Sequence, residues 1–574
     1  LAEVMAGEGF CEPPNPRDVA LGSQLLLWKL ADRGCQLQPE NEVVTRRNTG
    51  YHRLTLREHQ ARSRQLAAAL SAWGVEVGDR VATFMANNAR HLQAYHAVPG
   101  MGAVLHTLNI RLSPGELSYI IRHARDRVLL LDAELLPQVE LLPDEAVAQI
   151  ELFVICGADQ CAGGWSSSLP NARVVDYDAF LSSHLQAFEW RDLPEVTPMG
   201  LCYTSGTTGE PKGVMYSHRS TYLTSLMLAT TTHVAMSPLD VFLCVVPMFH
   251  GMGWTMPYTA LMLGVKTCFC GAQSTPADQL ETCLDEGVTM SGGVPTVWQQ
   301  IRTFLQESPE KYKGKLKLNR LIVGGSAPPM EMMEWYLREY GVEMMQGWGM
   351  TETNPIGALS KMRAKAKHNT WTAEQQFRNI QCPGLVTPIM EMKIVDPDDL
   401  SKELPHDGVA AGELLVRGAN VTGEYYQNPS AANKFHEGWL ITGDVAKITP
   451  DEELIITDRS KDLIKSGGEW ISSKDVENHI MAMPGVANAC VVAVPHPKWD
   501  ERPVAIVERL GDKEETTAAA VLEHCRAALA KYEVPDEVLF WSSIPLTSTG
   551  KLDKKLVRQR LQEEGYVLPS LRLP

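Results

Sequence analysis

Long hydrophobic runs, abundant cysteine and an excess of basic charge are all missing from this chain of 574 residues. No apolar stretch approaches the roughly 20 residues of a membrane-spanning helix, so we expect no transmembrane segment. Twelve cysteines without a C-x-x-C pair are too few for a disulfide scaffold, and they favour a reducing, cytoplasmic location. A net charge of −16 argues against nucleic acid as a partner, because proteins that bind duplexes present a basic field.

The composition that remains is that of a large globular protein, with 44% hydrophobic and 21% charged residues. Short apolar runs typical of buried strands alternate with amphipathic stretches that have a helical period. The predicted strands are residues 80–85, 128–132, 152–156, 241–246 and 321–323. The predicted helices are residues 56–73, 91–105 and 220–229. This alternation predicts an α/β fold in layers, with parallel strands inside.

The pattern changes near residue 458. Beyond it, a predicted helix at 476–483, two strands at 491–494 and 504–507, and an alanine-rich helix at 515–531 form a compact α+β unit. We therefore predict a large N-terminal domain of residues 1–457, a hinge of residues 458–462 and a small C-terminal domain of residues 463–574. Because the join DRSKD is strongly charged, we expect it to be exposed to solvent and able to hinge.

The sharpest local signal is the string YTSGTTGEPKGV at residues 203–214. Its glycines let the backbone turn tightly and present amides, its hydroxyls add donors, and Lys212 adds a positive charge, which together indicate a phosphate cradle. The string is not a Walker A loop, because Gly213 and not Ser or Thr follows Lys212. A flexible linker is the alternative, which the flanking strand and helix patterns disfavour.

Three further strings carry weaker signals, and each has an ordinary turn or surface loop as its alternative. QGWGMTETNP at residues 346–355 places a carboxylate beside a hydroxyl, as a Mg²⁺ site requires. TGD at residues 442–444 ends in an aspartate that can accept hydrogen bonds from the two vicinal hydroxyls of a ribose. TSTGK at residues 547–551 places a lysine on a loop that contains glycine.

Together these strings resemble the adenylate-forming acyl-CoA synthetases, a superfamily that includes firefly-type luciferases and the adenylation domains of peptide synthetases. YTSGTTGEPKGV, GWGMTETNP, TGD, DRSKDLIKSGGEWIS and the final TGK stand in the family's order and near its spacing. The resemblance extends over nearly the whole chain. It implies the acyl-CoA synthetase fold, with layered α/β subdomains in a large N-terminal domain and a small, mobile α+β C-terminal domain.

The resemblance also implies which residues bind ATP and Mg²⁺. It assigns the β- and γ-phosphates to Thr204, Ser205, Gly206, Thr207, Thr208, Gly209 and Lys212, and Mg²⁺ to Thr204 and Glu352. It assigns adenine and the α-phosphate to Gly325, Ser326, Gln346, Gly347, Trp348, Gly349, Met350 and Thr351. It assigns the ribose to Asp444 and Arg459, and further nucleotide contacts to Lys461, Lys465 and Trp470. Trp348 departs from the family pattern, because many members have tyrosine there, although either ring can stack on adenine.

The implied activity is an ATP-dependent ligase reaction in two steps. A carboxylate attacks the α-phosphorus of ATP, expels pyrophosphate and forms an acyl-AMP, and coenzyme A then displaces AMP to form a thioester. The implied catalytic residues are Lys551, Glu352 and Thr351, and Lys551 and Mg²⁺ counter the negative charge that gathers on the phosphates. In the second step the C-terminal unit would swing about the hinge and present a CoA channel beside Ser466, Gly467 and Gly468.

The string VPMFHGMGWTMPY at residues 246–258 is the candidate acid pocket. Methionine-rich walls adapt to flexible apolar ligands, although a plain core segment is the alternative reading. The string resembles the fatty-acid branch of the family, in which a tryptophan at the position of Trp254 gates an acyl tunnel and a histidine at that of His250 lies near the carboxylate. We therefore favour a medium- or long-chain fatty acid, with the thioether acid methylmercaptopropionate as the competing substrate.

Three other functions stay open at this point: an adenylation enzyme that loads a carrier protein, a luciferase-like oxygenase, and a non-catalytic nucleotide-binding protein. The last is disfavoured because all the charged residues of an active enzyme are present together: Lys212, Glu352, Asp444, Arg459 and Lys551. By analogy with fatty-acid relatives, we expect a possible homodimer.

Overall fold

The apolar runs of the sequence form buried strands, and the amphipathic stretches form helices that cover them. The computed structural model describes residues 24–157, 169, 173–184, 186–204, 210–271, 274–361, 370–380, 382–467, 469–511, 516–548 and 550–569. Among the described helices, none combines the length and the apolar character that crossing a membrane requires.

The elements follow in chain order. The strands are β1 (Glu42–Arg47), β2 (Gly50–Thr55), β3 (Arg80–Phe84), β4 (Val104–Thr107), β5 (Val128–Asp132), β6 (Leu152–Cys156), β7 (Arg173–Asp176), β8 (Pro198–Tyr203), β9 (Gly213–Ser217), β10 (Val241–Leu243), β11 (Lys266–Phe269), β12 (Met290–Gly293), β13 (Arg320–Val323), β14 (Glu343–Trp348), β15 (Ala358–Leu359), β16 (Gly384–Val386), β17 (Met390–Asp396), β18 (Asp399–Glu403), β19 (Gly412–Gly418), β20 (Phe435–His436), β21 (Trp439–Ile448), β22 (Glu453–Arg459), β23 (Ile464–Ser466), β24 (Glu469–Ile471), β25 (Val486–His496), β26 (Asp500–Arg509) and β27 (Glu537–Phe540). The helices are α1 (Leu27–Leu37), α2 (Leu56–Trp73), α3 (Ala89–Gly100), α4 (Pro114–Ala124), α5 (Leu136–Glu140), α6 (Asp144–Val147), α7 (Tyr177–Ser182), α8 (His218–Leu228), α9 (Gly251–Trp254), α10 (Met256–Leu263), α11 (Pro276–Glu286), α12 (Pro295–Glu307), α13 (Pro309–Tyr312), α14 (Met330–Tyr340), α15 (Ala373–Asn379), α16 (Ser473–Met481), α17 (Ala518–Ala528) and α18 (Lys554–Glu563).

The first sheet runs in the order β7-β6-β5-β3-β4-β8-β9. Its neighbouring strands are parallel except β8 and β9. The apolar strands β5 and β6 are almost wholly buried, as expected for a parallel sheet with both faces covered. The predicted phosphate string begins where β8 ends and finishes where β9 begins, so this sheet positions it.

The second sheet follows the path β18-β17-β19-β21-β22-β16-β15-β14-β13-β12-β10-β11-β1-β2, with β20 beside β21. The stretch from β14 to β1 is parallel, and the stretch from β14 through β15 to β18 is antiparallel. Side by side, β13 and β14 end at one edge, where open α/β sheets bind their ligands.

The C-terminal unit has its own sheet, β24-β23-β26-β25 with β27 beside β26, and its own helices α16 to α18. Its apolar core includes Ile464, Val476, Ile480, Val491 and Ala505. A large N-terminal α/β unit and a small C-terminal α+β unit confirm the predicted fold class. The boundaries at residues 457 and 463 stay predictions.

Local predictions were accurate where a cap marks the element. Helix α2 has the predicted bounds, because Thr55 and Glu58 close a capping box at its start. The helix predicted at 91–105 is wrong beyond Gly100, since the chain turns there and enters β4. Strand β10 stops three residues early, and the Asn87 amide donates to the carbonyls of residues 244 and 246 just beyond its end.

The charged join is exposed only in part. Arg459, Ser460 and Lys461 are exposed, as expected. The expectation is wrong for Asp458, which is 5% exposed. Its carboxylate accepts hydrogen bonds from Ser473 Oγ at 2.5 Å and from the Arg459 backbone N at 2.7 Å. A local run of charges cannot reveal that the next helix folds back onto one of them.

Candidate active site

A cavity of about 470 Å³ opens between the ends of β13 and β14, the β21–β22 pair and the C-terminal loop at residues 547–551. The structure brings most of the predicted site residues to its walls. These are Thr204, Lys212, His250, Trp254, Gly325, Ser326, Gln346, Gly347, Trp348, Gly349, Met350, Thr351, Glu352, Asp444, Arg459, Lys461 and Lys551. Residues separated by up to 347 positions in the chain therefore share one cleft.

The loop that carries Lys551 is docked on the large unit. Asn109 Nδ2 donates to Ser548 Oγ at 3.0 Å, and Arg111 Nη1 donates to the Ser548 carbonyl oxygen at 3.2 Å. Within the loop, the backbone N of Thr547 donates to the Lys551 carbonyl oxygen at 2.7 Å. These bonds fix the loop so that the lysine side chain enters the cavity.

The surroundings of Lys551 lower the pKa of its ammonium group. A Cβ built on Gly325, whose φ is +85°, would lie 2.8 Å from Lys551 Cε, so glycine makes room for the lysine stem. Burial, with the positive charge of Arg459 as a smaller cause, lowers the pKa of Lys551 to about 8, although Asp444 and Glu352 act in the opposite direction. The lysine is therefore a cation at neutral pH and loses its charge under mildly alkaline conditions.

Asp444 is the buried carboxylate of the cleft. Its Oδ1 pairs with Arg459 Nε at 2.7 Å, and its Oδ2 accepts a hydrogen bond from Trp348 Nε1 at 2.9 Å. Residues 444 and 459 are register partners on β21 and β22, which explains how a distant arginine meets the aspartate. The negative charge of Asp444 also raises the pKa of Arg459.

Glu352 lies on the opposite side of the cleft with its carboxylate partly engaged. Tyr425 Oη donates to Glu352 Oε1 at 2.7 Å, and Lys212 Nζ lies 5.0 Å from the centroid of the Tyr425 ring. Thr204 Oγ1 accepts from the Lys212 backbone N at 3.3 Å. The phosphate string and the 351–353 turn therefore meet here.

Thr204 and Glu352 fit a nucleotide-bound Mg²⁺. No group of three or more His, Cys, Asp or Glu side chains suited to a metal occurs among the described residues. Mg²⁺ does not require one, because it binds through one or two carboxylates together with substrate phosphates and water. The second oxygen of Glu352 and the Thr204 hydroxyl are oxygen ligands of that kind.

His250 borders the cleft in its neutral form. Burial, with Lys551 and Arg111 nearby, lowers the pKa of His250 to about 3. At neutral pH the imidazole is therefore uncharged and can make a hydrogen bond without adding a second cation beside the lysine. His250 also borders a second, smaller cavity of about 20 Å³.

Trp254 stands on a left-handed turn. Met252, Trp254 and Thr255 have φ values of 51°, 57° and 61°, a region that costs a residue other than glycine on the order of 1–2 kcal/mol. The indole packs on the backbone at Gly324, where an added Cβ would lie 3.1 Å from its ring. Such strain persists only where the surroundings hold it, and it presents the Trp254 side chain as a wall of the cleft.

Comparison with known proteins identifies the family. Residues 31–426 match the model of the AMP-binding enzyme, and residues 475–551 match the AMP-binding enzyme C-terminal domain. The chain belongs to the AMP-binding enzyme family. This membership confirms the predicted enzyme class, an AMP-forming acyl-CoA synthetase.

Relatives of this AMP-binding enzyme match nearly its whole length. A long-chain-fatty-acid–CoA ligase of Thermus thermophilus is 41% identical over 94% of this chain and 96% of its own. A 3-methylmercaptopropionyl-CoA ligase of Ruegeria lacuscaerulensis is 39% identical over 94% and 98%. A medium-chain-fatty-acid–CoA ligase of Ectopseudomonas oleovorans is 36% identical over 94% and 96%.

Solved structures share the fold. ATP-bound MatB from Rhodopseudomonas palustris matches with a TM-score of 0.76 and 25% identity over 94% of this chain and 99% of its own. An anthranilate CoA ligase in complex with anthranoyl-AMP matches with a TM-score of 0.81 and 22% identity over 96% and 100%.

Four predicted residues of the enzyme lie away from the cavity. Lys465 and Trp470 face each other on the β23–β24 hairpin, where Trp470 is 58% exposed. Ser466 Oγ accepts from Arg502 Nη1 at 2.8 Å, and Gly467 follows it. The nucleotide contacts predicted for Lys465 and Trp470 stay predictions. The CoA channel predicted for Ser466 and Gly467 also stays a prediction, and it concerns a second pose of the C-terminal unit. The predicted residues Ser205, Gly206, Thr207, Thr208, Gly209 and Gly468 lie outside the described residues.

Sequence reasoning missed several residues of the cleft. Tyr425 fixes Glu352, and Asn109 and Arg111 hold the lysine loop. None of the three stands in a string with a local signal. They reach the site through tertiary contacts with partners at least 73 positions away, which no short motif encodes.

Proposed function

We propose that this enzyme activates a medium- or long-chain fatty acid with ATP and transfers it to coenzyme A. The observation that carries the proposal is the single cleft in which Lys551, Glu352 and the Asp444–Arg459 pair lie together. A cation, a metal ligand and a ribose acceptor in one cleft are the groups that adenylation of a carboxylate needs.

In the first half-reaction, the acid's carboxylate attacks the α-phosphorus of ATP, and the bond to the bridging oxygen of pyrophosphate breaks. Negative charge shifts onto the leaving phosphates, where Lys551 and Lys212 are positioned to stabilise it. Mg²⁺, held by Thr204 and Glu352, would neutralise further phosphate charge. The products are an acyl-AMP and pyrophosphate.

In the second half-reaction, the thiolate of CoA attacks the acyl carbon and AMP leaves. Lys551 acts in acyl-AMP formation and is not needed in this step. Because its side chain fills part of the cleft, the C-terminal unit must move it away. We propose rotation about residues 458–462, which breaks the contacts of Ser548 with Asn109 and Arg111 and releases the loop. Ser466 and Gly467 would then line the channel through which the thiol of CoA reaches the acyl-AMP.

The choice of a fatty acid rests on the walls beside His250. Trp254 offers an apolar wall to the cleft. Met252 and Met256 of the same segment are fully buried, and methionine side chains can adapt when a flexible apolar ligand packs nearby. The long-chain and medium-chain fatty-acid ligases compared above support this choice. The relative that acts on 3-methylmercaptopropionate favours the short thioether acid as a second candidate, because its identity is nearly the same.

ATP–pyrophosphate exchange across a panel of acids tests the proposal. We expect exchange with fatty acids of eight or more carbons to exceed that with methylmercaptopropionate by about tenfold or more in kcat/KM. The reverse order would establish the thioether acid, and no exchange with any acid would refute adenylation. A CoA-dependence assay separates this reaction from the loading of a carrier protein.

The predicted homodimer and cytoplasmic location belong to the same proposal. Light scattering coupled to size-exclusion chromatography tests the first, and fractionation of cells that express the full chain tests the second.

A further inference from the structure

Trp348 makes a contact that goes beyond stacking on adenine. Its Nε1–H donates to Asp444 Oδ2 at 2.9 Å, while Arg459 Nε pairs with Oδ1 at 2.7 Å. Each oxygen of the Asp444 carboxylate is therefore held by one N–H group. Asp444 is 2% exposed and Trp348 is 8% exposed, so water competes little for either bond.

The remaining acceptor capacity of Asp444 matches a diol. An ionised carboxylate has about four lone-pair sites, two on each oxygen. One N–H donor on each oxygen leaves one site free on each oxygen, and both lie on a carboxylate whose rotation is blocked from two sides. Two neighbouring acceptors of fixed orientation are what the vicinal 2′- and 3′-hydroxyls of a ribose require.

We propose that Trp348 is a positioning residue whose indole N–H orients the Asp444 carboxylate, so that the enzyme selects nucleotides with both ribose hydroxyls. The inference rests on the proposed function, because it takes ATP as the nucleotide of the cleft. Phenylalanine has no hydrogen-bond donor on its ring, so it cannot make this bond.

The chain also makes room for the larger indole. A Cβ on Gly357 would lie 2.4 Å from Trp348 Cζ3 and 2.7 Å from its Cε3. The backbone N of Gly357 donates to the Trp348 carbonyl oxygen at 2.9 Å, which fixes the distance between the two residues. A methyl group at residue 357 must therefore displace the indole, and Gly357→Ala offers a second way to break the same bond while the tryptophan itself is retained.

The test compares ATP with 2′,3′-dideoxyATP, which lacks both hydroxyls and cannot use Asp444. Pyrophosphate exchange is measured as kcat/KM for each nucleotide in the wild type, Trp348→Phe and Gly357→Ala. We expect the wild type to prefer ATP by at least about tenfold. In both variants kcat/KM should fall about tenfold more with ATP than with the dideoxynucleotide. The loss of stacking on adenine affects both nucleotides alike, whereas the loss of the hydrogen bond to Asp444 affects only ATP.

An equal loss with both nucleotides would overturn the proposal, because stacking or packing alone would then explain the role of Trp348. Asp444→Asn tests the ribose-binding role of Asp444 separately from the positioning role of Trp348. If it leaves the preference for ATP unchanged, the ribose assignment of the proposed function is wrong. If it removes the preference while Trp348→Phe keeps it, only the positioning role of Trp348 is wrong. Thermal unfolding of each variant identifies any that fail to fold, and Trp348→Phe then decides without Gly357→Ala.

Discussion

Lys551 combines two requirements that oppose each other at the scale of one residue. In the proposed reaction it must be a cation to act on the phosphates, yet burial in the cleft lowers its pKa to about 8. The approach of a triphosphate relieves this conflict, because negative charge favours the ammonium form. The ammonium form of Lys551 is therefore favoured while ATP is bound, and the lysine loses its proton more easily once pyrophosphate has left.

Lys551→Ala separates the two half-reactions. We expect it to lower acyl-AMP formation by on the order of 10²–10³, the usual loss when one preorganised donor is removed. Thioester formation from supplied acyl-AMP and CoA should stay within about threefold of the wild type, because the lysine has left the cleft by then. The two rates are measured separately by pyrophosphate exchange and by CoA thioester production, and equal losses would contradict this division.

The pH dependence of the first half-reaction follows from the same pKa. Above about pH 8 the free enzyme holds Lys551 increasingly neutral, so kcat/KM for ATP should fall about tenfold per pH unit. Lys551→Arg keeps its charge to higher pH, and its profile should stay level to about pH 10. A shared fall in both enzymes would assign the titration to another group.

At the scale of elements, the loop after β13 and the loop at residues 547–551 pack together closely because Gly325 has no side chain. Gly325 has a φ of +85°, and the Lys551 stem occupies the place where a Cβ would stand. The two loops come from different units of the protein. Their fit therefore decides whether the lysine can enter the cleft.

Gly325→Ala should obstruct that fit. We expect acyl-AMP formation to fall by about tenfold or more, while thioester formation from supplied acyl-AMP changes little. Gly341→Ala is the matched control, because Gly341 has a φ of +67° but no atom within 4 Å of an added Cβ. If both variants lose activity equally, left-handed backbone strain and not the lysine stem is the cause.

Elements differ in how far the sequence predicts them. The capping box at Thr55 and Glu58 and the apolar runs of β5 and β6 are local signals, and these elements have the expected bounds. The left-handed turn at residues 252–255 has only Gly253 as a local signal, because Met, Trp and Thr disfavour that conformation. Tertiary packing imposes it.

At the scale of the whole molecule, polar contacts near the lysine loop hold the C-terminal unit to the large unit, and three of them are hydrogen bonds between described residues. Ser548 bonds to Asn109 and Arg111, and Thr296 Oγ1 donates to the Gly550 carbonyl oxygen at 3.2 Å. Contacts of this number and kind can break and reform during a catalytic cycle. In the proposed mechanism, the docked pose serves the first half-reaction.

A crosslink between the units tests this movement. In an Asn109→Cys/Ser548→Cys double variant, a short bis-maleimide should hold the lysine loop in the cleft. We expect the crosslinked enzyme to retain most of its pyrophosphate exchange and to lose at least about tenfold in CoA thioester formation. Each single-cysteine variant, treated with the same reagent, is the control. Full thioester formation by the crosslinked enzyme would exclude rotation of the C-terminal unit.

The sequence by itself determined the chemistry of this protein. Five short strings identified the family and predicted the lysine, the metal ligands and the ribose acceptor, because each string favours a local backbone shape that phosphates and hydroxyls require. Only the tertiary structure decided which hydrogen bonds and ion pairs those groups make with one another and how deeply they are buried. The bond from Trp348 to Asp444, the tyrosine on Glu352 and the burial that lowers the pKa of Lys551 all join residues far apart in the chain. Such contacts depend on which elements pack together, and a local pattern of residues does not contain that information.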